Sequence, residues 1–124
     1  LVVRSPEILN KVKECYAQPW FQNVPCIIAV IGKYDKAWVR KYDNYNPLET
    51  DLAIAMDHII LAATNEGLGT CWIAAFDLTI LKKALNLKDE EQVFTITPLG
   101  YPKIDFTKND DKNRKTFEEI VKML

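Results

Sequence analysis

The sequence predicts a single α/β or α+β domain in which helices cover a sheet. Three observations lead there. Short apolar runs bounded by Gly and Pro alternate with segments of helical spacing. The length, 124 residues, fits one domain of ordinary size. No internal repeat or low-complexity linker divides the chain, so residues 1–124 read as one unit.

The chain opens on Leu1-Val2-Val3, which reads as the tail of a strand already under way, so a preceding segment is expected. Ser5-Pro6-Glu7 is a helix start: a capping Ser, Pro in the first turn and an acid near the positive end. Ile8, Val12, Cys15 and Tyr16 then share a face until Gln18-Pro19. Residues 24–32, VPCIIAVIG, predict a strand buried on both faces. Residues 33–49 are aromatic, charged and weakly periodic, and are expected to form a flap over a pocket with at most one short helix.

Over residues 51–63 only Asp51, Asp57 and His58 are polar. A helix apolar nearly all round is the centre of a large core or an interface between chains. A chain this short has little interior, so part of that helix is expected to pack against another subunit. Gly67 stands where a left-handed closing residue belongs. LGTCWIAAF, 68–76, predicts a second buried strand. Asp77 caps a helix carrying Leu78, Leu81 and Leu85 on one face. QVFTITPLGYP predicts a third strand, ended by Pro98 and the Gly100-Tyr101-Pro102 turn. A polar loop spans 103–115, and Thr116 with Glu119 forms a capping box opening FEEIVKML.

Formal net charge is −1, from 16 basic and 17 acidic residues, which argues against nucleic acid or an anionic membrane as main partner. No run approaches the ~20 apolar residues of a membrane span, and no signal peptide is visible. Cys15, Cys26 and Cys71 are odd in number and far apart, without a C-x-x-C pair. They are expected as buried free thiols in a reducing cytoplasm. His58 lacks a patterned nucleophile or metal-ligand spacing and reads as a structural or interface histidine.

The dinucleotide, P-loop, zinc-protease and nucleophile-elbow signatures do not occur. No side chain is therefore assigned as catalytic and no metal is expected; an enzyme here draws its reactivity from a bound cofactor. GLGTCWIAAF, 67–76, offers what a flat aromatic cofactor needs: close backbone approach at Gly and Ala, N–H donors and an apolar wall. A turn followed by a core strand accounts for the same letters. Lys112 and Arg114 in KNR supply fixed cations suited to a phosphate tail.

The succession DLAIAMDHIILAATNEGLGTCWIAAFD, LKKALNL, TPLGYP and KNRK resembles the C-terminal two-thirds of the nitroreductase family of FMN-dependent flavoproteins. The resemblance implies an α+β fold: a three-layer, sandwich-like mixed sheet covered by helices, assembled as an obligate intertwined homodimer with two FMN sites at the interface. It lays Trp72, Ile73, Ala74 and Ala75 along the isoalloxazine ring, one backbone N–H facing the reactive flavin nitrogen, and sets Lys112 and Arg114 against the phosphate and ribityl chain. Some members carry an acid and a glycine where Ala74 and Ala75 stand, a difference expected to alter substrate fit. The implied activity is an FMN-dependent oxidoreductase that passes hydride from NAD(P)H to nitroaromatics, quinones or similar small-molecule acceptors in a ping-pong cycle. Dehalogenation or flavin fragmentation on the same scaffold, or a non-catalytic dimeric flavin-binding module, are the alternatives. The family's N-terminal flavin-holding segment does not precede Leu1, and Gln18-Pro19-Trp20, which falls after the first helix, is not taken for it.

Overall fold

Two helices on one face of a four-stranded sheet and one long helix on the other enclose the core, giving three layers. The structure, a computed structural model, describes residues 1–107, 109 and 111–124. Lys108 and Asp110, within the polar loop expected over 103–115, lie outside the described residues. The elements are β1 (Val2–Val3), α1 (Pro6–Lys13), β2 (Ile27–Gly32), α2 (Leu48–Asn65), β3 (Gly69–Thr70), α3 (Leu78–Ala84), β4 (Gln92–Gly100) and α4 (Phe117–Ile120), with 3-10 turns at Pro19–Asn23 and Tyr34–Lys36.

The strands lie in the order β1-β2-β4-β3, and every neighbouring pair is antiparallel, in place of the mixed sheet expected. The physical reason is the insertion of β4. Helix α2 returns the chain so that β3 runs parallel to β2, but β4 lies between them and opposes both.

On one face, Leu9 and Val12 of α1, Phe21 of the Pro19–Asn23 turn and Leu81 of α3 pack against Ile27, Ala29 and Ile96. On the other, Leu48, Leu52 and Met56 of α2 cover Val30. Gly32 lets α2 lie this close, because a Cβ there would meet Leu48 Cδ1 at 2.5 Å. Helix α2 closes at Gly67, φ +72°, where Gly67 N–H donates to the Thr64 carbonyl and Leu68 N–H to that of Ala63. Those two bonds satisfy carbonyls the helix leaves open.

The structure alters several expectations. The strand expected over 68–76 is paired only at Gly69–Thr70, with one further bridge between Ile73 and Ile96. Cys15 and Cys26 are buried, but Cys71 is exposed because it stands where that pairing fails. Leu9 replaces Ile8 on the buried face of α1, and Leu78 is exposed while Leu81 is buried. Helix α2 begins at Leu48, earlier than the apolar run implies, where the Asn46 side-chain oxygen accepts the Leu48 N–H at 3.1 Å. The capping box of Thr116 and Glu119 forms, yet α4 stops at Ile120. Residues 117–124 are all exposed, and so short a helix does not extend without packing.

Candidate functional site

The site candidate grows out of a break in the β3–β4 ladder. Gly69 pairs with Gly100, Thr70 with Leu99 and Ile73 with Ile96, one unshifted register. That register sets Pro98 opposite Cys71. Proline has no N–H, so the bond that should tie Pro98 to the Cys71 carbonyl does not exist. Pairing lapses there and resumes for one residue: Ile73 and Ile96 exchange both main-chain bonds, each 3.0 Å.

Because β3 is an edge strand, alternate residues turn their main-chain groups outward. Ile73 faces β4, so Trp72 and Ala74 present theirs to the open side. Among the described residues, the N–H groups of Trp72, Ala74 and Ala75 make no main-chain hydrogen bond. Trp72, Ala74 and Ala75 are exposed, and Ile73 is the buried anchor, 3% exposed. The stretch is fixed at its far end as well: Asp77 N–H donates to the Cys15 carbonyl at 2.8 Å, and the Asp77 carboxylate accepts the Ile80 N–H at 3.0 Å to cap α3. Trp72 rests edge-on against Phe94, ring centroids 6.2 Å apart. Four residues thus form a short shelf, pinned at both ends and narrow-walled at Ala74 and Ala75.

Two further side chains hold it. Thr97 Oγ1 accepts the Cys71 N–H at 3.1 Å and donates to the Pro98 carbonyl at 3.0 Å. Thr95 Oγ1 donates to the Ile73 carbonyl at 2.9 Å. Both threonines are completely buried. Sequence reading passed over them; the available signal was two hydroxyls, one residue apart, inside an apolar run.

Lys112 and Arg114 are not brought onto the shelf. Both are exposed, outside any helix or strand, and neither forms a salt bridge among the described residues. A hollow of about 390 Å³, lined by Trp20, Cys71, Leu99, Tyr101 and Phe106 among others, opens where the chain enters the shelf. A larger one of about 590 Å³ lies between β1, β2 and α2. Neither includes Trp72 to Ala75. The expected flap, 33–49, is a set turn beside the start of α2. Arg40 grips Asp43 through two hydrogen bonds and lies 5.0 Å over the Tyr45 ring, while Tyr34 donates to Glu49 at 2.9 Å. That bond to a carboxylate pushes the Tyr34 hydroxyl above its ordinary pKa. His58 stands exposed on α2.

Comparison with known proteins places the fold. A protein of Archaeoglobus fulgidus named "Putative NADH dehydrogenase/NAD(P)H nitroreductase" is 30% identical over 118 residues, 90% of this chain and 66% of its own length. The chain spans about half of another curated relative. A crystal structure of a nitroreductase family protein from Clostridium difficile 630 superposes with a TM-score of 0.84 at 30% identity, covering 98% of this chain and 70% of that one. An FMN-dependent nitroreductase from Clostridium difficile R20291 shares the fold, with a TM-score of 0.77 at 22% identity, over 99% of this chain and 72% of its own. The sequence pattern of the nitroreductase family matches residues 3–101, and the chain belongs to that family.

Proposed function

We propose that this chain belongs to an FMN-dependent oxidoreductase that accepts hydride from NAD(P)H and delivers it to a small-molecule acceptor such as a nitroaromatic or quinone. The observation that carries the reading is the exposed shelf of Trp72, Ala74 and Ala75, with outward N–H groups and no Cβ branch at its two alanines. A flat ring fits such a surface, because small side chains admit it and free donors meet its polar edge. The relative named for NADH and NAD(P)H, and the fold neighbour described as FMN-dependent, support donor and cofactor.

FMN, when bound, supplies the two-electron chemistry that no side chain here offers. The chain's own part is positional. Ile73 fixes the height of the shelf, the Trp72 indole walls one side, and main-chain donors orient the ring. Lys112 and Arg114 supply cations for the phosphate, an assignment that requires the 111–115 segment to fold toward the shelf or toward that of a second copy.

A homodimer belongs to the same proposal. Ile54 and Leu61 of α2 are 51% and 59% exposed, and residues 101–124 leave Phe106, Phe117, Ile120 and Met123 in solvent. So much exposed apolar surface is what a second copy covers. Titration of the protein with FMN, followed by flavin fluorescence quenching, tests the function. Saturable binding, with bleaching of the bound flavin by NADH or NADPH, is expected. Free flavin that stays unquenched on titration overturns the reading.

A further inference from the structure

We infer that Thr95 and Thr97 are positioning residues for the shelf: their buried hydroxyls take over the hold that the ladder loses at Pro98, and so keep Trp72 to Ala75 open to ligand. The inference rests on the flavin reading above only for what the shelf binds.

The geometry leads to it directly. Cys71 faces β4 in the register, and its N–H would ordinarily donate to the carbonyl of its opposite residue, Pro98. It donates instead to Thr97 Oγ1, while that same hydroxyl gives its proton to the Pro98 carbonyl. One side chain therefore sits between the two main-chain groups that should have paired. Two residues further on, the Ile73 carbonyl accepts both the Ile96 N–H and the Thr95 hydroxyl, so both of its lone pairs are used. Hydroxyls hold the segment from the β4 side at Cys71 and Ile73, and among the described residues the outward N–H groups of Trp72, Ala74 and Ala75 make no main-chain bond. A fully laddered β3 would twist with β4 as a regular strand. A β3 with neither ladder nor hydroxyls would leave the part-buried Cys71 N–H and the Ile73 carbonyl without partners.

Threonine is suited to this and valine is not, although the two have the same shape. Valine at 95 or 97 would fill the same space and leave the Cys71 N–H or one lone pair of the Ile73 carbonyl unmet. Serine would keep the hydroxyl and lose only a methyl group.

The test uses Thr95→Val, Thr97→Val and the two serine counterparts in the 124-residue chain. Amide hydrogen exchange at Cys71 and Ile73 is read without ligand, and FMN affinity by quenching. In T97V, Cys71 exchange should accelerate at least about tenfold, and the FMN dissociation constant should rise about tenfold. The serine variants should return both to within about threefold of the parent. Leu48→Ala, which loosens the separate cluster under α2, should lower the melting temperature without changing either. Unaltered Cys71 exchange in T97V overturns the inference, as does FMN loss that simply follows melting temperature across all variants. If the parent binds no FMN yet T97V still frees the Cys71 amide, the flavin reading fails and the hydroxyl hold stands.

Discussion

Ile73 and Ile96 exchange both of their main-chain hydrogen bonds at 3.0 Å, a bridge that stands between the end of β3 and the cap of α3. The Ile73 side chain lies in the α1–α3 side of the core with Leu81 and Ile96. It thus couples the height of the shelf to core packing. Ile73→Ala should cost about 2–4 kcal/mol of stability in urea unfolding, as buried Ile truncations do. It should also weaken flavin binding, because the anchor then has room to shift. A loss of less than about 1 kcal/mol would show that Ile73 is not seated as described.

Arg114 makes the opposite prediction. Its side chain is exposed and outside every element, so Arg114→Ala should leave the melting temperature unchanged. If it contacts the FMN phosphate, the substitution should weaken flavin binding by about 1.5–3 kcal/mol, the scale of a charge-assisted hydrogen bond. Equal affinity in variant and parent would remove Arg114 from the site.

Leu61 tests the assembly. It is 59% exposed on an apolar helix, and Ile54, two turns earlier on the same face, is 51% exposed. A charge at this place costs little in a monomer and much in a buried interface. Leu61→Lys should therefore convert a dimer into a monomer in sedimentation, with helical content retained. A parent chain that sediments as a monomer at all concentrations would refute the dimer.

Much of this was legible in the chain, and the reasons are local. Gly67 closes α2 in the left-handed conformation because only a residue without Cβ adopts it cheaply, and Asp77 caps α3 because its carboxylate reaches a free N–H. Such rules act over a few residues and survive in any fold. What could not be read was set by partners distant in sequence. The strand expected over 68–76 has strand composition throughout, yet Pro98, some 25 residues away, decides where its pairing lapses. The same break exposes Cys71, which composition alone would bury. The two alanines were legible as a surface for close approach, whereas the hydroxyls that hold Cys71 and Ile73 were not. A threonine in a strand looks the same whether it faces solvent or replaces a ladder bond.

Cys15 gives a pH dependence. It is buried, and burial, reinforced by the nearby Asp77 carboxylate, pushes its thiol from an ordinary 9.0 up to about 11. An acid whose pKa is raised by folding keeps its proton in the native state while the unfolded chain has already lost it. Between those two values the unfolded chain binds fewer protons, so stability falls as pH rises. Below about pH 9 both states hold the proton and the thiol makes no contribution to the slope. Cys26 is raised by burial as well and acts in the same direction. Urea unfolding from pH 8 to 11 should show stability declining above pH 9, with a visibly shallower decline in Cys15→Ala. The slope is the readout, since the alanine also removes packing at every pH. Parallel declines in variant and parent would mean that another group governs the alkaline limb.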